Sequence, residues 1–128
     1  MIYTCYFAGL GDRSGRAVSV CRQQPPGWKL PVEDLLAPPF GMYWKFLRGR
    51  MSVARFEQIY KIRFGMLDPA AIASKYDGMI LTAFEGYEDK EKTKLKFSHR
   101  HLIAEWLRRH GFECEELPPI SRRRRYAF

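Results

Sequence analysis

Ser98, His99 and Arg100 stand in a row ahead of an apolar run, while Arg22 and Glu85 each follow an apolar, strand-like segment. Guanidinium groups bind phosphate or carboxylate through paired, charge-assisted hydrogen bonds, and an imidazole titrates close enough to neutrality for acid or base work. A helix N-terminus adds unpaired N–H groups and positive potential, which accept the same anions. Arg22, Glu85, Ser98, His99 and Arg100 therefore predict a site for a phosphate- or carboxylate-bearing small molecule, a nucleotide among the options. A purely structural arrangement uses the same residues: Ser98 caps its helix, Arg100 pairs with Glu85, and His99 lies on the surface. His99 and His101 are two apart and face different ways on a helix, so no metal site is predicted. Ser98 lacks the Gly-x-Ser-x-Gly surroundings of a nucleophile elbow, and no motif in the chain fixes a reaction or a cofactor.

In an open parallel sheet, ligands sit beyond the carboxyl ends of the strands, so these residues meet only if the segments before them are parallel strands. Residues 2–7, 17–21, 79–84 and 112–117 are short apolar runs, rich in β-branched and aromatic residues and bounded by glycine, proline or polar clusters, which predicts four strands. The unbroken apolar run 79–84 is the pattern of a strand covered on both faces and is the predicted central strand. Between these runs the spacing is helical. One helix is predicted over 42–50, and a second is capped by Ser52 with Val53, Phe56, Ile59, Tyr60 and Phe64 on one face. A third is opened by Asp68-Pro69, and a fourth is capped by Ser98, carries Leu102, Ile103, Trp106 and Leu107, and stops at Gly111. Strands alternating with helices predict one α/β domain over residues 1–119, a mainly parallel sheet of about four strands flanked by helices. The proline- and glycine-rich stretch 28–41 is a long loop, of a class that is functional or disordered.

With 128 residues, 46% of them hydrophobic and 28% charged, the chain has the size and balance of a single globular domain. Its apolar runs are too short to span a bilayer as a helix, and the start lacks the basic segment of a secretory signal, so a cytoplasmic protein is expected. Cys5, Cys21 and Cys114 are odd in number and widely spaced, which points to reduced core thiols rather than a disulfide framework or zinc. The net charge is +8, and Arg122, Arg123, Arg124 and Arg125 supply four of those charges in a predicted flexible tail, 120–128. An alternative function follows: a nucleic-acid-binding module using that tail with Lys94 and Lys96, aided by Lys90, Lys92, Arg108 and Arg109. Acidic neighbours Glu88, Asp89 and Glu91 dilute the lysine segment. Trp28, Tyr43, Trp44 and Tyr60 serve either as stacking platforms or as core, with Trp28, in a loop between prolines, the best placed to stack.

Met1-Ile2-Tyr3-Thr4-Cys5-Tyr6-Phe7-Ala8, Val18-Ser19-Val20-Cys21-Arg22, Leu36-Ala37-Pro38, Leu67-Asp68-Pro69 and the run from His99-Arg100-His101 through Glu105-Trp106-Leu107 come in a distinctive order. In that order they resemble the landmarks of the domain of unknown function 488 family, over nearly all of residues 1–117. The resemblance implies a compact Rossmann-like α/β fold and carries no established biochemical role with it. Members of that family usually have one cysteine two residues before the glutamate of the central strand and another immediately before the histidine-arginine pair. Ala83 and Ser98 stand there in this chain, so the resemblance implies no chemistry by that thiol pair. The segment from Glu85 to Ser98 is also longer than its counterpart in the family, as a solvated insertion or as a lid or partner-binding element.

Overall fold

The computed structural model describes residues 1–120; residues 121–128, which hold the predicted basic tail at Arg122, Arg123, Arg124 and Arg125, lie outside the described residues. Strands β1 (Ile2–Tyr6), β2 (Ala17–Ser19), β3 (Ile80–Ala83) and β4 (Cys114–Glu116) form one sheet in the order β2-β3-β1-β4. Every pairing is parallel, with Tyr3 opposite Ile80, Ile2 opposite Cys114 and Ala17 opposite Ile80. The sheet is the predicted one, and the apolar run 79–84 supplies an inner strand whose four residues are all buried. Each strand is shorter than its apolar segment, and side chains bond the backbone just past a strand end. At the exit of β2, for example, Ser19 Oγ accepts a hydrogen bond from the Cys21 N–H, at 3.2 Å, and the Gln24 amide donates to the Cys21 carbonyl, at 2.8 Å.

Four helices follow the spacing of the sequence: α1 (Met42–Leu47), α2 (Val53–Phe64), α3 (Pro69–Lys75) and α4 (His99–Arg109). Three caps hold as side-chain bonds to orphan N–H groups: Ser52 to Arg55, Asp68 to Ala70 and Ser98 to Arg100. The helix predicted over 42–50 ends early, at Leu47, where the Arg50 N–H turns back to the Lys45 carbonyl at 2.8 Å. Helix α4 packs against β1, β3 and β4, and α2 and α3 pack against α4. Phe56, Tyr60, Ile103, Leu107, Ile80 and Leu81 belong to the buried core, and the Phe64 and Trp106 rings stack at 4.7 Å. No helix among the described residues is long and apolar enough to cross a membrane.

Two connections depart from simple loops. The glycine-rich stretch after β1 coils into two short 3-10 turns, Phe7–Gly9 and Gly11–Arg16, held by Arg13, which donates to the carbonyls of Gly9, Leu10 and Pro118. The 28–41 loop runs along β2, with the Ser19 N–H bonded to the Pro31 carbonyl and the Glu33 N–H to the Ser19 carbonyl, which covers that edge of the sheet. Tyr60 donates to the Leu36 carbonyl at 3.0 Å, and the buried Glu33 accepts from Tyr76 at 2.6 Å, so both the helical layer and α3 pin this loop.

Gly11 has φ +61, and a Cβ placed on it would meet the Ile120 side chain at 2.6 Å, whereas Gly27 has φ +79 and open space around it. Gly11→Ala should therefore lose more stability than Gly27→Ala. The backbone conformation costs about 1–2 kcal/mol at either site, and the clash adds roughly 1–3 kcal/mol at Gly11 alone. Urea unfolding of both variants checks this, and equal losses would contradict the Ile120 contact.

Candidate functional site

Beyond the carboxyl ends of β2 and β3 the surface opens into a cleft of about 120 Å³. Cys21 and Arg22 reach it from the exit of β2, Phe84 from the end of β3, Phe40 from the 28–41 loop, Tyr43 and Trp44 from α1, and His99 from the first turn of α4. Arg22 is exposed at the rim on the turn that Ser19 and Gln24 shape. Its Nε donates to the Pro38 carbonyl at 2.6 Å, which aims the guanidinium while leaving its two terminal nitrogens without a hydrogen-bond partner among the described residues.

His99 is buried, unlike in the purely structural alternative, which put it on the surface. Its Nε2 sits 2.7 Å from the Val20 carbonyl, which accepts and so requires the proton on Nε2, and 3.8 Å from the Cys21 sulfur. The bond docks the start of α4 onto the exit of β2, and Tyr60 stacks on the ring at 5.9 Å. Burial lowers the His99 pKa, with the Arg100 charge acting the same way and the Glu85 charge and Val20 carbonyl opposing. The ring is a neutral imidazole at neutral pH. Burial, followed by the charge of Glu85, pushes the Cys21 thiol up to about 12, so the neighbouring pair does not form the thiolate that a cysteine nucleophile needs.

Ser98 and Glu85 meet, Ser98 Oγ donating to Glu85 Oε1 at 2.9 Å, and Tyr43 donates to the other carboxylate oxygen. Burial, then the Glu85 bond, raises the Tyr43 pKa and keeps the phenol protonated. The hydroxyl of the cap residue of α4 is thus engaged by the protein's own carboxylate. Arg100 turns the other way. Its side chain has 0% exposure, donates through Nε and one terminal nitrogen to the two oxygens of Glu116 at 3.0 and 2.9 Å, and bonds the Glu85 carbonyl with the other. Thr4 adds a 2.7 Å bond to Glu116. Burial raises the Glu116 pKa, but the Arg100 hydrogen bonds and charge outweigh it, aided by Thr4, and the carboxyl lies below its ordinary value.

The five predicted residues therefore fall into two groups. Arg22 and His99 line the cleft, and Glu85 and Ser98 support it from behind Tyr43. Arg100 is spent on a buried ion pair with Glu116 and does not face the cleft, which corrects its assignment as an anion ligand; its carboxylate partner is also not Glu85. Sequence reasoning missed Glu116, Tyr43 as the partner of Glu85, and Phe40. Only Phe40 carries a local signal, an aromatic residue between prolines and a glycine in the long loop. His101 Nε2 is the buried side-chain nitrogen or oxygen without a partner among the described residues. Among those residues no cluster of three or more histidines, cysteines, aspartates or glutamates is placed to hold a metal ion.

Between Glu85 and Ser98 the chain forms a small hairpin. Tyr87 pairs with Leu95 in antiparallel fashion, and Asp89 accepts from the backbone N–H groups of Thr93 and Lys94 at the turn. Lys94 pairs with Glu88 at 3.1 Å, and Lys90 and Lys96 are exposed. Arg108 and Arg109 lie at the far end of α4, bonded to the Cys114 carbonyl and to Glu105. An 11-residue helix is about 16 Å long, so these two arginines and the hairpin lysines do not make one patch.

Two outcomes follow from the buried polar groups. Arg100→Ala leaves Glu116 unpaired and should cost roughly 3–5 kcal/mol, while the double variant Arg100→Met with Glu116→Met recovers most of that loss; urea unfolding tests both. Burial, followed by the charge of Arg100, lowers the His101 pKa to about 4, as burial also lowers that of His99. A lowered folded pKa means that the unfolded chain binds the extra protons, so stability is full above the unfolded value of about 6.5 and falls as acid is added. His101→Gln should flatten that fall between pH 6.5 and about 4; an unchanged slope in urea midpoints against pH would contradict it.

No protein-family model, curated protein or solved structure matches the chain.

Proposed function

We propose that the cleft binds a small molecule in which a planar ring is joined to a phosphate or carboxylate, a nucleotide being the type case. The observation that carries this reading is the placement of Arg22, a guanidinium with two nitrogens unpartnered among the described residues, at the rim of a cleft walled by aromatic rings. Phe40 is 91% exposed, Trp44 52% and Phe84 44%, and such rings are available to stack on a planar ligand. Arg48 lies over the Trp44 ring at 6.0 Å and adds positive charge to the same side. Apolar walls with a few converging polar groups are the usual composition of a small-molecule site. The thiol of Cys21, held protonated, supports binding rather than thiol chemistry. A cytoplasmic setting and membership of the domain of unknown function 488 family belong to this same proposal.

Calorimetric titration with uridine 5′-monophosphate, adenosine 5′-monophosphate and benzoate tests it. At least one should bind, and Arg22→Ala should weaken binding about 10- to 100-fold, the value of one or two hydrogen bonds to a charged group. No binding at millimolar ligand, or an unchanged affinity in the variant, overturns the proposal.

One observation favours a second reading, nucleic-acid binding. The Ile120 N–H bonds the Gly9 carbonyl at 3.0 Å, so the chain heads into its arginine run from the edge of the sheet that holds the cleft. A chain ending at Ile120 should then bind single-stranded RNA more weakly than the full chain and with a shallower dependence of log affinity on log salt. Equal binding by both chains at two salt concentrations removes this reading.

A further inference from the structure

The volume of the cleft limits what the ring can be. A cavity of about 150 Å³ accepts one benzene, and this cleft has about 120 Å³. A single six-membered ring matches this volume and a fused second ring exceeds it. His99 lines the same space. Its Nε2 is committed to the Val20 carbonyl, and Tyr60 stacks on one face of the ring, so the imidazole cannot rotate without losing both contacts. In that tautomer Nδ1 carries a lone pair and no proton. No hydrogen bond among the described residues uses Nδ1, and it is not a sealed polar atom, as His101 Nε2 is.

We infer that His99 Nδ1 faces the cleft as a fixed acceptor, and that the ligand is a single-ring anion presenting an N–H or O–H donor to His99 while its phosphate or carboxylate meets Arg22. This rests on the binding reading above and narrows it. Purine nucleotides are disfavoured by size, and rings without a donor are disfavoured because the lone pair is then left unpaired. Two sources share the chemistry: a pyrimidine nucleotide with a ring N–H, and a hydroxylated aromatic carboxylate. Burial, which keeps the imidazole neutral, preserves the acceptor at neutral pH.

The test compares uridine 5′-monophosphate, adenosine 5′-monophosphate, 4-hydroxybenzoate and benzoate on the full chain and on His99→Gln, whose amide N–H₂ replaces Nε2 toward Val20 but supplies no acceptor at the Nδ1 position. Uridine 5′-monophosphate or 4-hydroxybenzoate should bind at least about tenfold more tightly than adenosine 5′-monophosphate or benzoate respectively, and His99→Gln should erase that preference. Which of the two favoured probes binds names the source. In wild-type protein the ¹⁵N resonance of His99 Nδ1 should move when the favoured probe is added and that of Nε2 should stay, a readout that holds even if the variant fails to fold. Adenosine 5′-monophosphate binding as tightly as uridine 5′-monophosphate together with benzoate matching 4-hydroxybenzoate, or a static Nδ1 resonance, overturns the inference yet leaves the binding site standing. Failure of all four probes to bind overturns the binding reading and the inference with it.

Discussion

Burying an arginine at the start of α4 obliges the rest of the carboxyl edge to solve its charge. Arg100 has no exposed surface, and each of its three guanidinium nitrogens donates, two to Glu116 and one to the carbonyl of Glu85. Its guanidinium carbon lies 6.0 Å from the Tyr6 ring at the end of β1. One side chain thereby ties the exits of β1, β3 and β4 to the helix that packs across them. An ion pair out of water contributes little net stability over apolar packing, but it is intolerant of a missing partner. Its effect is to fix where α4 begins relative to the sheet.

That placement divides the edge in two. On the β1 and β4 side the ion pair, Thr4 and the rings of Tyr6 and Tyr87 fill the space. On the β2 and β3 side the same helix start presents His99, whose bond to the Val20 carbonyl holds the two elements together without filling the gap between them. The 28–41 loop supplies the outer wall, braced by Tyr60 and by the parallel bridge of Val32 to Ser19. A closed half and an open half thus follow from one helix register, and the open half is the one lined by exposed aromatic rings and Arg22.

Charge is distributed the same way, by partner rather than by count. Glu85 would place a negative charge in the cleft, but Ser98 and Tyr43 draw its two oxygens away behind the wall. Lys94 is answered by Glu88 and Arg109 by Glu105, while among the described residues Arg22 has only a carbonyl, bonded through one of its nitrogens. Although the chain has a net charge of +8, its described residues offer the cleft a single directed guanidinium at its rim, with Arg48 on Trp44 beside it.

The sequence by itself determined the elements that depend on neighbours along the chain. The apolar run at 79–84, the Ser52, Asp68 and Ser98 caps and the helical spacing after each act over one to four residues, and the structure keeps all of them. Local rules also brought Arg22, Glu85, Ser98 and His99 to one edge, since a parallel sheet sends every strand exit the same way. Only the tertiary structure decided what each group faces. Whether Arg100 meets Glu85 or Glu116, and whether His99 is buried or exposed, depends on the strand order that sets β4 beside β1 and on the rotation of α4 over the sheet. Those contacts join residues 16 and 79 positions apart, and the burial that decides them is a property of packing, which no spacing along the chain encodes.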